Sequence, residues 1–227
     1  MIRNYDREGK EYDKIRYGRT KGGRFFSEVE LSETLRQMKP GRVLNVGTAT
    51  GRVPNHLVSM KFDYVGLEIS KVMAKITLER LDGGGSIICA DAENLPFKED
   101  MFDNVVSVRS FHFFPNPEKF LVDAKRVLKP NGRLIVSFEK RVRGRETFRR
   151  MMSLAESAVR RSYYTNSEVA LMMRNAGFKT IHTGNVTKLP LLVYWRVKND
   201  RILRKLHGKI PLTLGTVGMA VGTKVGT

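Results

Sequence analysis

Apolar and polar positions along this chain follow two alternating periods. Short apolar runs recur at "RVLNVG", "FDYVGLEI", "SIICA", "FDNVVSVRS" and "RLIVSFE", the pattern of buried strands. Between them the period lengthens to that of a helix. "GGRFFSEVELSETLRQMKPGR" reads as a helix with Phe26, Val29 and Leu35 roughly on one face, stopped by Pro40-Gly41. "GRVPNHLVSM" leaves the first strand as a helix, and "SKVMAKITLERL" opens on a serine N-cap and runs to the glycines at 83–85. "NPEKFLVDAKRVLKPNG" is a helix begun by Asn116-Pro117 and closed by a Lys-Pro-Asn-Gly turn. Beyond the fifth strand the pattern predicts an arginine-rich helix over 145–161 and a helix in "NSEVALMMRNAGF". A strand in "KTIHTGNV", a basic apolar stretch and a final glycine-rich strand near 213–224 complete the chain.

Strands and helices alternating at this spacing imply right-handed crossovers and a mostly parallel sheet covered on both faces, an α/β fold. No repeat, linker or break divides the sequence, so residues 1–227 read as one domain. Residues 1–40 form its N-terminal helical segment, and 141–163 and 188–212 are basic insertions capping an acceptor site. The one cysteine, Cys89, excludes an internal disulfide and a zinc site and is expected in the core of the third strand. No metal is expected. The polar N-terminus lacks an apolar signal core, and "IPLTLGTVGMAVG" is too short to span a bilayer. The expected location is cytoplasmic, with peripheral contact at a membrane surface left open.

Chemistry first enters at "VLNVGTATGRVP", a strand running into a glycine-rich turn and a helix. Glycines there let the backbone approach a ligand, and the helix N-terminus offers free N–H groups. A nicotinamide dinucleotide turn needs G-x-G-x-x-G. Here Gly47, Ala49 and Gly51 give G-x-A-x-G, and Arg52 stands where the third glycine would fall. The spacing speaks against a dinucleotide.

The stretch instead resembles motif I of the class I S-adenosylmethionine-dependent methyltransferases (methyltransferase type 11-like), a hydrophobic strand followed by D/E-x-G-x-G-x-G. "YVGLEIS", "CADAENLPF" and "FDNVVSVRSFHFFPNPEKFLVDAKRVLKPNGRLIVS" resemble that family's later strands, and "MMRNAGF" its following helix-to-strand join. The likeness is close over 40–140 and looser over 165–183. It implies a Rossmann-like, doubly wound, seven-stranded sheet, mostly parallel with an antiparallel last strand, and S-adenosyl-L-methionine as cofactor. By the same likeness, Glu68 would take the ribose hydroxyls, Asp91 the adenine amino group, and Ala92 would offer a backbone contact. Gly47, Thr48, Ala49 and Gly51 would form the turn around the cofactor, with Asn45, Ile69 and Val108 beside it. Two positions depart from the family: Asn45 replaces the acid of motif I, and Ala49 replaces its middle glycine. Asparagine keeps a hydrogen bond to the ammonium end of the cofactor but loses the charge attraction.

Methyl transfer from a sulfonium is an in-line displacement, so a base is needed only where the acceptor must lose a proton. His112, after the fourth strand, is the candidate base, and a packed or loop-capping histidine is its alternative. Arg109 is the candidate clamp for an anionic acceptor or the cofactor carboxylate, with a structural ion pair as its alternative. Cytosine-C5 chemistry lacks its nucleophilic cysteine, and the Asn/Asp-Pro-Pro-Tyr/Phe loop of many amino-group methylases is replaced by "FHFFPNP".

The formal charge of +18 implies an anionic partner. Most of it lies in 140–161 and 188–209. The second segment places Leu191, Leu192, Trp195, Ile202, Leu203 and Leu206 near one helical face with basic residues opposite. That suits an anionic membrane surface, and equally a lid helix packed on its own domain. Three readings follow: methyl transfer to a small or amphipathic acceptor such as a lipid or quinone; an RNA methyltransferase using the basic segments for phosphates; or a cofactor-binding regulatory protein without catalysis.

Overall fold

The computed structural model describes residues 9–12, 21–141, 162–188, 193–194, 200–209 and 215–226. Helix α1 (Lys21–Gln37) leads into β1 (Arg42–Val46), α2 (Arg52–Ser59), β2 (Asp63–Glu68), α3 (Lys71–Leu81) and β3 (Ser86–Cys89). Then come β4 (Phe102–Val108), a 3-10 turn (Phe111–Phe113), α4 (Pro117–Val127) and β5 (Leu128–Glu139). After α5 (Asn166–Asn175), β6 (Phe178–Asn185) and α6 (Asp200–Lys209), the chain closes with β7 (Val217–Lys224). The expected helix over 145–161 lies outside the described residues, as does most of the 141–163 insertion.

The strands form one sheet in the order β3-β2-β1-β4-β5-β7-β6. The first five are parallel, and β7 inserts antiparallel between β5 and β6. The order reverses between β1 and β4, which places the ligand crevice at their carboxyl ends.

The period-two pattern of the strands sorts their side chains into two apolar layers. Leu44, Val105, Leu134 and Val136 pack with Phe120, Leu121 and Ala124 of α4 and Val169 and Met173 of α5. Val43, Val106, Ile135 and Met219 pack with Phe25, Phe26 and Leu31 of α1, Val53 and Leu57 of α2, and Tyr194 and Leu203. N-caps open α3 and α4 where the sequence indicates, and α5 adds one the sequence reading did not single out. Ser70 accepts from Met73 N–H, Asn116 accepts from Lys119 N–H, and Thr165 with Glu168 forms a full capping box.

Two expectations are corrected. The Lys-Pro-Asn-Gly segment does not separate α4 from β5. Leu128 already pairs with Phe102, and pairing resumes at Arg133 with Asn104 after a register shift. Asn131 takes the left-handed conformation there (φ 63°), which asparagine tolerates. Cys89 is exposed rather than core, because β3 is the sheet's edge and its residues alternate only partly into the layers.

Candidate functional site

A pocket of about 470 Å³ opens at the carboxyl ends of β1, β2, β3 and β4. Gly47 and Ala49 form one side, Leu67, Glu68, Ile69 and Met73 the next, and Ala90, Asp91 and Ala92 the far end. Arg109, Ser110, Phe113 and Phe114 close it from the β4 side, with Tyr12 reaching over from the N-terminal segment. A smaller cavity continues past the glycine turn between Thr48, Thr50, Arg52, Val108 and Arg109.

Backbone conformation and hydrogen bonds shape the turn. Gly47 has φ 79°, and a Cβ there would run into the Ser110 side chain, so only glycine fits. Gly51 caps α2 at φ 93°. Ala49 holds φ 50°, a strained conformation for alanine. Its neighbours fix it there: its N–H donates to Glu68 Oε2 at 2.8 Å, and its carbonyl accepts from Thr77 Oγ1 at 2.6 Å. Glu68 Oε1 accepts from Ser70 N–H at 3.1 Å. The buried Glu68 carboxylate thus bridges the turn after β1 and the start of α3, with an edge in the pocket wall.

The expected site residues divide accordingly. Gly47, Ala49, Glu68, Ile69, Asp91 and Ala92 line the main pocket, and Thr48 and Val108 line the small cavity. Gly51 sits just behind the turn. Asn45 does not reach either wall. Its buried amide accepts from Tyr64 Oη at 3.2 Å and donates to the Val106 carbonyl at 3.4 Å. Burial, and secondarily the Glu68 charge, push the Tyr64 phenol well above its usual range, so it stays a hydrogen donor to Asn45.

Arg109 stands in the walls of both cavities with φ 57°, an outlier for a bulky residue and a mark of local strain. Its N–H donates to Ser137 O at 3.2 Å and Ser137 Oγ at 3.0 Å. Its guanidinium pairs with Glu139 Oε1 at 3.3 Å and lies 5.2 Å from the centre of the Phe26 ring. The ion pair expected as the alternative for Arg109 is present, and the same residue lines the pocket. His112 is placed differently from the expected base. It is buried at 1% exposure, absent from the residues lining either cavity, its ring centre 4.2 Å from that of Phe113 and tilted by 38°, with Nε2 4.0 Å from Glu139 Oε1. The apolar 3-10 turn after β4 draws the ring inward.

Sequence reasoning missed Glu139, Glu30, Arg52, Ser110 and Tyr12. A lone glutamate at the end of an apolar strand ("RLIVSFE") was the available signal for Glu139. Glu30 had none, since acidic residues on an otherwise amphipathic helix normally face solvent.

A glycine turn at the first crossover, an acid ending the second strand and an aspartate after the third, on a sheet with an antiparallel seventh strand, define the site of the class I S-adenosylmethionine-dependent methyltransferases. Residues 44–136 match a family model described as a methyltransferase domain. The chain is 32% identical over 183 residues to an uncharacterized protein of Methanocaldococcus jannaschii, covering 78% of this chain and 82% of that one. It is 31% identical over 137 residues to demethylmenaquinone methyltransferase of Thermotoga maritima, covering 60% and 59% of the two chains. Among solved structures it is similar to a Thermotoga maritima methyltransferase, a "possible histamine N-methyltransferase", at 26% identity and TM-score 0.74 over 98% of this chain and 99% of that one. The chain belongs to this family and is an S-adenosylmethionine-dependent methyltransferase.

The pocket fits the cofactor. Apolar walls from Leu67, Met73, Ala92 and Phe113 suit the adenosine, Glu68 and Asp91 offer acceptors for hydroxyl and amino groups, and the Gly47 cradle admits close backbone approach.

Proposed function

We propose that the protein methylates a small amphipathic acceptor of the quinone or lipid class, held over the β4 and β5 ends. The cofactor supplies an already activated methyl group. The chain's own residues bind, orient and exclude water. In this reading Glu68 takes the ribose hydroxyls, Asp91 the adenine amino group and the turn at 47–51 the methionine end, with Ile69, Ala92, Thr48 and Val108 in the walls. Asn45 supports the turn from beneath.

The carrying observation is the composition of the β4 side of the pocket: among the described residues, Phe113, Phe114 and Pro115 stand beside Arg109. Aromatic walls suit a flat apolar ring, and a cation suits an oxygen gaining negative charge. Ion-pairing to Glu139 tempers the Arg109 charge while the residue stays in the wall. A cationic amine acceptor is disfavoured beside it. The T. maritima quinone methyltransferase is consistent with this acceptor class. His112 acts only from behind Arg109, through Glu139.

Membrane contact, and with it a cytoplasmic peripheral location, is part of the same reading. No helix among the described residues is long and apolar enough to cross a membrane. On α6, Leu203 is buried against α1, while Ile202 and Leu206 are exposed among Arg201, Lys205 and Lys209. The helix is therefore a lid on its inner face and a basic apolar ridge on its outer one. Leu191, Leu192 and Trp195 lie outside the described residues.

Methyl-labelled cofactor incubated with demethylated naphthoquinol, total RNA or histamine tests the acceptor class. Label entering the organic-extractable quinol supports it, and label in RNA or histamine alone overturns it.

A further inference from the structure

Arg52 and Arg109 both line the small cavity beyond the glycine turn, and one buried carboxylate on α1 binds the Arg52 guanidinium directly and the Arg109 backbone through a serine. Glu30 has 0% exposure. Its Oε2 accepts from Arg52 Nη2 at 3.1 Å and its Oε1 from Ser137 Oγ at 2.9 Å. Arg52 Nη1 also donates to Ser27 Oγ of α1 at 2.7 Å. Ser137 Oγ, in turn, accepts the Arg109 N–H at 3.0 Å. A single side chain of α1 therefore reaches the residue directly after Gly51 and, through one serine, the strained residue after β4.

Packing does not call for a carboxylate here. Glu30 shares the buried face of α1 with Phe26 and Thr34, where a leucine would fill similar volume. A buried ion pair adds little net stability over an apolar replacement, because desolvation offsets its Coulombic gain. Direction is what the carboxylate adds. Each oxygen is taken by a different element, so α1, the N-terminus of α2 and the β4–β5 ends are held in one relative geometry. Arg52 and Val53, in the first turn of α2 where backbone N–H groups lack intrahelical partners, line the small cavity.

We propose that Glu30 is a positioning residue of the cofactor site, acting through Arg52 and Ser137, so that cofactor affinity depends on α1 being seated. This rests on the reading that the turn at 47–51 holds the cofactor.

Calorimetry with S-adenosylhomocysteine as the probe tests it, using four variants. Glu68→Ala checks the site reading itself and should weaken binding about tenfold or more, at least about 1.4 kcal/mol. Glu30→Gln keeps shape but loses charge, and should weaken binding about tenfold. Glu30→Leu combined with Arg52→Met replaces the pair by apolar volume. It should melt at or above Glu30→Gln yet bind the probe no better. Glu28→Gln breaks only the exposed pair between α1 and Arg204 and should bind like the wild type. A purely structural Glu30 would let affinity recover with stability in the apolar double variant, and that result overturns the proposal. So does wild-type affinity in Glu30→Gln while Glu68→Ala is weakened. Should Glu30→Gln fail to fold, the double variant is read against the wild type: binding weakened about tenfold supports the proposal, and wild-type affinity overturns it. Unchanged affinity in Glu68→Ala identifies a failure of the site reading instead.

Discussion

Arg109 Nη2 lies 3.3 Å from Glu139 Oε1, joining the ends of β4 and β5 at the edge of the pocket with 11% and 3% of the two side chains exposed. Water can do little for the carboxylate if the cation is removed. Arg109→Ala should therefore cost about 3 kcal/mol of stability, the scale for breaking one side of a buried pair. Arg109→Met with Glu139→Leu should restore most of that loss while leaving methyl transfer impaired. Urea unfolding of the single and double variants checks the first statement, and turnover checks the second. Equal destabilisation of both variants would show that the pair is not the source.

Ala49 departs from the family's glycine and occupies a left-handed conformation at φ 50°. Left-handed backbone costs an alanine roughly 1–2 kcal/mol, while glycine there costs roughly 0.4–1 kcal/mol in extra unfolded-chain entropy. Strain relief wins by a small margin. Ala49→Gly should raise the melting temperature by about 2 °C and tighten S-adenosylhomocysteine binding, since residue 49 lines the pocket. A lower melting temperature would show that the bonds to Glu68 and Thr77 already absorb the strain.

Much of this molecule is legible in the sequence because the sheet is buried on both faces. Val43, Leu44, Val105 and Val106 must all be apolar, so their runs stand out, and the turn residues between them mark the crossovers. Gly47, Glu68 and Asp91 are legible as a set because strand ends fix their spacing. The polar residues under the pocket are not. Glu30 and Ser137 meet across 107 positions of chain, and Glu139 meets Arg109 across 30; only tertiary packing turns these side chains toward one another. His112 misleads for a related reason: position after β4 places the residue near the site, but its ring direction depends on the surrounding phenylalanines.

Asn45 shows the same limit. The sequence suggests a weakened hold on the cofactor ammonium, yet the amide is committed to Tyr64 and Val106 beneath the turn. Restoring the family acid should not tighten binding. In Asn45→Asp a carboxylate at 1% exposure would lose its donor and face the Val106 carbonyl, costing about 1–3 kcal/mol of stability. Thermal melts and calorimetry on this variant decide the matter. Tighter cofactor binding with unchanged stability would return Asn45 to the pocket wall.

The docking of α6 on α1 should depend on pH through His207. Its ring lies 5.6 Å from Phe25 and 6.4 Å from Tyr194, and Tyr194 in turn meets Phe26, whose ring also lies 5.2 Å from the Arg109 guanidinium. Burial, and then the Lys188 charge, hold the imidazole below its ordinary range, while Glu33 acts weakly the other way. The Arg204 guanidinium, stacked on Phe25, adds a further cation nearby. A lowered folded pKa means that the unfolded chain takes the proton more readily. Stability therefore rises with pH in this region: the contribution is present above about pH 6.5 and is lost as pH falls through the folded pKa. His207→Gln cannot titrate and should flatten that slope. Melting temperatures of wild type and variant measured from about pH 7.5 down to about pH 5 should diverge below the histidine range, the wild type falling faster. Parallel curves would show that His207 keeps its proton equilibrium on folding, and that acid does not loosen this helix.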